Sequence, residues 1–178
     1  MGECSKNLWA SWRSEYIHSL GEPADGQAGG CFLCRYAGQP EQDALHHVLW
    51  RGLRCLTMFN RFPYNNGHLL VAPLDHLAGL DELDEPTLDE LIRTVRDAQR
   101  LLGHTTNAHG FNVGMNFGRC AGAGLPGHLH VHIVPRWEGD TNFMAVISDN
   151  RVISESIESL YNKMRAAAEG LGLPALRG

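Results

Sequence analysis

Apolar positions along this chain change their period several times, and each change predicts an element. From Cys31 to about Trp137 the pattern is mainly that of strands. His47–Arg51 and Leu53–Phe59 alternate around Gly52, which predicts two strands joined by a turn. Tyr64-Asn65-Asn66-Gly67 is a turn sequence, and the apolar run His68–Ala72, ending at Pro73, predicts a buried strand. The period then lengthens. Leu88, Leu91, Ile92, Val95, Ala98, Leu101 and Leu102 recur at i, i+3, i+4 and i+7, the stripe of an amphipathic helix. Asp84, Glu85 and Pro86 start this helix and Gly103 stops it, predicting a span of residues 84–102. Phe111–Phe117 and His128–Val134 predict two further strands joined by a Gly-rich loop. A last helix is expected over Ser154–Glu169, with Ile157, Leu160, Met164 and Ala168 on one side. The sum is an α+β domain: an antiparallel sheet, one long helix packed on it, and a C-terminal helix.

The same pattern divides the chain. Residues 1–30 form an N-terminal extension and linker, 31–145 the main domain, and 146–178 a C-terminal helical extension. In the extension Trp9, Trp12, Tyr16 and Ile17 are expected to pack on the main body, with a Gly/Pro/Ala linker from Gly21 to Gly30. A chain of 178 residues, 43% hydrophobic and 20% charged, suits one globular core and excludes a fibrous or disordered class. With 15 Lys plus Arg against 20 Asp plus Glu, the net charge is -5, which argues against a nucleic-acid partner. A small anion held by a few local groups remains open. No stretch reaches the ~20 apolar residues of a membrane span. The N-terminus lacks the apolar core of a secretory signal. Five cysteines (Cys4, Cys31, Cys34, Cys55 and Cys120), an odd count, argue against a disulfide framework. A cytoplasmic protein with reduced thiols and no membrane partner is the expectation.

Ten histidines are the oddity of the composition, and three of them fall in Gly127-His128-Leu129-His130-Val131-His132-Ile133-Val134-Pro135-Arg136. Strand side chains alternate in direction, so His128, His130 and His132 are expected on one face and the aliphatics on the other. Three imidazoles at strict period two are not an ordinary core pattern. A three-histidine metal site is one reading, since imidazole is a common zinc ligand. The preceding run Gly118-Arg119-Cys120-Ala121-Gly122-Ala123-Gly124 favours phosphate chemistry, because its backbone N–H groups can turn inward on an anion. Asn116, on the preceding strand, can add an amide donor.

His-x-His-x-His followed by two aliphatics and Pro-Arg resembles the signature of the histidine triad (HIT) superfamily of nucleotide hydrolases and transferases. The resemblance runs from Cys31 to about Phe143. It includes Phe59-Asn60, Pro63-Tyr64-Asn65-Asn66-Gly67-His68, Val71-Ala72-Pro73-Leu74-Asp75-His76 and Trp137-Glu138-Gly139-Asp140-Thr141-Asn142-Phe143. The extension Leu8-Trp9-Ala10-Ser11-Trp12-Arg13 is similar to that of bacterial diadenosine tetraphosphate phosphorylases. The resemblance implies that His130 attacks an α-phosphorus to form a nucleotidyl-histidine. Covalent catalysis of this kind splits one displacement into two. His132 would contact the phosphate or the leaving oxygen, and the carbonyl of His128 would fix the tautomer of His130. Asn60 resembles the position that binds the ribose hydroxyls, although a turn residue reads equally well there. Asn116, Gly122, Ala123 and Gly124 complete the expected nucleotide site. The sequence departs from many HIT hydrolases at Ala123-Gly124-Leu125, where Gly-Gln-Ser/Thr would place a side-chain donor. The family also implies a homodimer.

Cys31-Phe32-Leu33-Cys34 admits three readings. A thioredoxin-like dithiol needs a strand before it and a helix opening at the first cysteine, whereas a Gly-rich linker precedes it here. A pair of buried thiols is the second. Half of a tetrahedral Cys2His2 zinc site is the third. In bacterial HIT proteins the other two ligands resemble His76 and His128, while His46 and His47 are alternative partners. Such a zinc would be structural, and no organic cofactor is expected. The function implied is a nucleotidyl hydrolase or transferase acting on dinucleoside polyphosphates. A purine nucleoside phosphoramidase or a non-catalytic nucleotide-binding module are the rivals.

Overall fold

The structure, a computed structural model, describes residues 30–140 and 155–172. The expected packing of Trp9, Trp12, Tyr16 and Ile17, nearly all of the linker, and Thr141-Asn142-Phe143 lie outside the described residues.

Strands β1 (Val48–Arg51), β2 (Cys55–Phe59), β3 (Leu69–Pro73), β4 (Gly110–Met115) and β5 (Val131–Arg136) form one sheet in the order β1-β2-β3-β5-β4. Every neighbouring pair is antiparallel. Helices α2 (Glu85–Thr106) and α3 (Ile157–Leu171) are those the apolar periods predict, and the short helix α1 (Phe32–Ala37) is an element they do not; together with the sheet they make an α+β architecture.

Alternation sends side chains of each strand to two faces, and here both faces are covered, unequally. On the back, Cys55, Phe59, Leu69, Val71, Val131 and Ile133 pack with Leu91, Ala98, Leu101 and Leu102 of α2 and with Leu160 and Met164 of α3. On the front, Val48, Leu56, Met58, Leu70 and Ala72 pack with Cys31 and Leu33 beside α1. Burial on both sides is why β2 and β3 read as nearly continuous apolar runs. The short α1 sits at the β1–β2–β3 end of the front. At the other end β4 is an edge strand with Asn112, Val113 and Gly114 exposed.

Several element ends differ from those expected, each for a physical reason. The β1–β2 turn holds Leu53 and Arg54 outside β2 because the Glu90 carboxylate accepts the amides of Arg54 (2.8 Å) and Cys55 (2.9 Å). Asp84 caps α2 by accepting the Thr87 N–H, as its start signal implies. Gly103 does not stop α2. The helix runs on to Thr106 and ends at Asn107, whose left-handed backbone (φ 51) forms the cap. Ser156 caps α3, so that helix starts and ends later than expected. β4 ends at Met115, leaving Asn116 just beyond it, and β5 begins only at Val131. His128, Leu129 and His130 therefore precede the strand instead of forming its first half.

Candidate active site

Register across the sheet locates the triad. His132 lies opposite Leu70 of β3 and Gly114 of β4. The paired stretch ends at Met115 and Val131, so His130 lies just before it. The rings of His130 and His132 are 4.9 Å apart between centroids, edge to face. His130 is nearly buried, at 7% exposure.

Hydrogen bonds fix which nitrogen of each ring carries the proton. A carbonyl can only accept, so the 2.8 Å contact from His130 Nδ1 to the His128 carbonyl puts the His130 proton on Nδ1. The lone pair is then on Nε2. A backbone N–H can only donate, so the 3.0 Å contact from the Tyr64 amide makes His68 Nδ1 an acceptor and leaves the proton on His68 Nε2. That proton is donated to His132 Nδ1 over 2.9 Å, which places the His132 proton on Nε2. Adjacent rings thus hold opposite tautomers: His130 presents a lone pair and His132 a donor.

Burial sets their charge. His68 is driven down to about 3 by burial, reinforced by His132 and His130. His130 is lowered by burial, partly offset by its bond to the His128 carbonyl. Both are neutral near pH 7, and a neutral imidazole is the nucleophilic form.

The second cluster joins four residues from three segments. Cys31 caps the N-terminus of α1 and its sulfur accepts from the Cys34 amide. A helix therefore opens at the first cysteine, one of the two features a thioredoxin-like dithiol needs. Cys31 Sγ lies 3.2 Å from His128 Nδ1, and Cys34 Sγ lies 3.1 Å from His76 Nδ1 and 3.4 Å from His128 Nδ1. The four ligand atoms all fall within 4.8 Å of one another. A tetrahedral zinc with bonds of about 2.3 Å to sulfur and 2.0 Å to nitrogen has S···N edges of roughly 3.5 Å, so the donor set fits. His128 Nε2 donates to the Pro73 carbonyl over 2.9 Å, leaving Nδ1 to coordinate. Of the alternative partners, His46 stacks on Tyr36 and His47 packs against Tyr161, and neither belongs to the group.

The remaining sequence candidates are placed less fully. Asn60 Oδ1 accepts the Phe62 amide, the turn role, while its Nδ2 lies 3.2 Å from His68 Nδ1. Gly122 is left-handed (φ 84) at the end of a short turn over Arg119–Ala121, with Ala123 and Gly124 following. This loop leads from the end of β4 into His128.

With this geometry in view, residues 41–139 match the HIT domain family. AP-4-A phosphorylase of Mycobacterium tuberculosis is 34% identical over 151 residues, which cover 84% of this chain and 77% of that protein. The chain belongs to the HIT family. It is an enzyme of the histidine triad type. Bis(5'-nucleosyl)-tetraphosphatase [asymmetrical] of Schizosaccharomyces pombe is 31% identical, over 62% of this chain and 57% of that protein. Among solved structures, a hypothetical histidine triad nucleotide-binding protein from Sulfolobus tokodaii superposes with a TM-score of 0.65 at 29% identity. It covers 79% of this chain and 93% of its own.

Within this HIT protein the sequence reading passed over His68 as a site residue and assigned it only to a strand. The available signal was a histidine in an otherwise apolar run directly after the Asn-Asn-Gly turn. It also passed over the support beneath Trp137–Asp140. Arg136 grips Asp140 through Nε at 2.6 Å and Nη2 at 2.8 Å, and its Nη1 donates to Asn112. Asn65 ties the same carboxylate to the turn before His68.

A pH profile checks the electrostatics. Because burial lowers the His130 pKa below 6.5, protonation removes the lone pair only at lower pH. The midpoint of the fall in kcat/KM on the acid side should lie below 6.5. A decline already complete at 6.5 would contradict the neutral, buried nucleophile.

Proposed function

We propose that this chain cleaves dinucleoside polyphosphates through a covalent nucleotidyl-histidine, with a preference for phosphorolysis. The observation that carries the reading is the pair of opposed tautomers at His130 and His132. In the first step His130 Nε2 forms a bond to an α-phosphorus and the bond to the bridging oxygen breaks. His132 Nε2–H faces the departing oxygen, and the His128 carbonyl holds the proton that His130 keeps on Nδ1. In the second step an acceptor oxygen bonds to phosphorus and the P–N bond breaks, restoring neutral His130. Asn60 binds the ribose, and the loop Gly122-Ala123-Gly124 with Asn116 contacts the phosphates.

Phosphate as acceptor is supported by exposed Arg119 in the Gly-rich loop, whose guanidinium suits two phosphate oxygens. The 34% identity to a phosphorylase over most of the chain supports it further. Gly124, with no side-chain donor, weighs toward water. The experiment is incubation with diadenosine tetraphosphate, with and without phosphate, followed by separation of products. ATP with phosphate-dependent ADP is the expected result. ATP and AMP at an unchanged rate reject phosphorolysis, and cleavage of an adenosine phosphoramidate alone moves the assignment to a phosphoramidase.

The Cys31, Cys34, His76 and His128 group binds zinc in this reading, as a structural ion without an open position. Residues 31–145 act as the catalytic domain. A homodimer belongs to the same reading, supported by the exposed edge strand β4. So does a reducing, cytoplasmic setting, supported by the free thiols of Cys31, Cys34, Cys55 and Cys120. No helix among the described residues is long and apolar enough to cross a membrane.

A further inference from the structure

The strand that carries His132 also carries one side of a polar clasp. Four residues further on, Arg136 grips the Asp140 carboxylate with Nε at 2.6 Å and Nη2 at 2.8 Å, a two-point pairing that fixes its plane. The Asp140 side chain is only 9% exposed. Its Oδ2 also accepts the Asn65 Nδ2–H over 3.0 Å, across 75 residues of sequence, and the same Asn65 amide reaches the Pro135 carbonyl over 3.2 Å.

Asn65 is the centre of the turn before His68. Its Oδ1 accepts the Asn66 amide over 3.0 Å and its carbonyl accepts the His68 amide over 3.2 Å. Tyr64, the residue before it, meets the histidine pair twice. Its N–H donates to His68 Nδ1 over 3.0 Å, and its ring centroid lies 4.7 Å from that of His68 and 5.8 Å from that of His132. Asn60 Nδ2 also approaches His68, at 3.2 Å from Nδ1 and 3.5 Å from Nε2. Nearly equal distances to both ring nitrogens put that amide over the ring face, so the Tyr64 N–H is the donor in the ring plane.

We propose that Asp140 is a positioning residue for the leaving-group donor: by holding Asn65 it keeps the Tyr64 N–H on His68 Nδ1, and so keeps a proton on His132 Nε2. The inference rests on the reading of His132 as the donor to the departing oxygen. The His68–His132 hydrogen bond joins two segments, and Asn65 with Asp140 and Pro135 joins the same two again. With Asn65 released, the Tyr64 N–H leaves the ring plane and the His68 proton moves to Nδ1. His68 Nε2 then accepts from His132 Nδ1, and His132 turns a lone pair toward the departing oxygen. No proton is gained or lost; two rings exchange tautomers. His130 keeps its bond to the His128 carbonyl, so attack is spared while help to the leaving group is lost.

The test compares the phenyl and 4-nitrophenyl esters of adenosine 5'-monophosphate on the full chain and on Asp140→Asn and Asn65→Ala, with circular dichroism confirming each fold. A donor helps in proportion to the charge on the departing oxygen, so phenolate needs it more than nitrophenolate, whose charge spreads into the ring. On the phenyl ester kcat should fall about 10-fold in each variant, part of the roughly 10^2- to 10^3-fold expected when a donor is removed outright. On the nitrophenyl ester it should fall less than about threefold, with KM for both esters within about twofold of wild type. In protein 15N-labelled at histidine, the Nε2–H signal that His132→Asn lacks should weaken in both variants. That signal decides alone if diadenosine tetraphosphate is cleaved and the esters are not. Equal losses on the two esters, an unchanged histidine signal, or failure of both variants to fold overturns the inference and leaves the covalent route standing. Wild type that cleaves neither ester nor diadenosine tetraphosphate removes the functional reading, and the inference with it.

Discussion

His130→Asn is expected to fold normally and to lose turnover by a factor on the order of 10^4 or more, the scale on which nucleophile removal acts in covalent enzymes. The amide of asparagine can still donate toward the His128 carbonyl, so the local hydrogen bond that His130 makes is replaceable. The lone pair on Nε2 is not. His132→Asn should cost less, roughly 10^2- to 10^3-fold, because it removes one donor aimed at developing charge and spares the nucleophile. Single-turnover kinetics with an α-labelled nucleotide checks both. Wild type should trap an acid-labile label on the protein and His130→Asn should trap none. Substantial turnover by a clean preparation of His130→Asn would remove the covalent route.

Cys34→Ser carries the second large effect, and it falls on stability. The Cys34 thiol lies within 3.5 Å of two imidazole nitrogens, and in the free protein burial, then Cys31, pushes its pKa up to about 11. Zinc binding must displace that proton, so affinity should increase with pH. A serine in this place is a poor ligand. The variant should lose most of its zinc by elemental analysis and about 3 kcal/mol of stability, in the class of large effects to which metal loss belongs. For a chain of this length that is a fall in Tm of roughly 6–12 °C. Turnover per folded molecule should drop far less than in His130→Asn. Protein with wild-type Tm and no zinc in either form would show that the four side chains meet without an ion.

Much of the architecture was legible because each element announces itself locally. The stripe from Leu88 to Leu102 reads as a helix with one buried side, and α2 buries Leu91, Ala98, Leu101 and Leu102, while Ile92, counted in the stripe, points to solvent and Thr94 and Asp97 are buried instead. The turn sequence at Tyr64–Gly67 was legible for a similar reason: Gly67 has φ +75, and a Cβ there would press on Leu102 and Pro135. Ends were less legible. Gly103 reads as a stop by its type, yet α2 continues for three residues because Asn107 supplies the left-handed cap. Leu53 reads as strand, yet the Glu90 carboxylate claims the amides that follow it. Glu90 lies 36 residues from Arg54 in sequence, whereas Asn107 is a local cap residue that competes with Gly103 for the stop.

By itself, then, the sequence determined most element types, the α+β class and the family, and it singled out the side chains proposed for the chemistry. It gave neither the helix α1 nor the place of His68. What it did determine follows from period, turn chemistry and motif, all of which act over a few residues. Only the tertiary structure decided how those side chains work together. His68 meets His132 across 64 residues, Cys31 meets His128 across 97, and Cys34 meets His76 across 42. A tautomer depends on which carbonyl or amide a ring nitrogen faces, and a metal site on whether four donors converge. Both are set by packing the sheet between its two unequal covers, and so by contacts that no local pattern encodes.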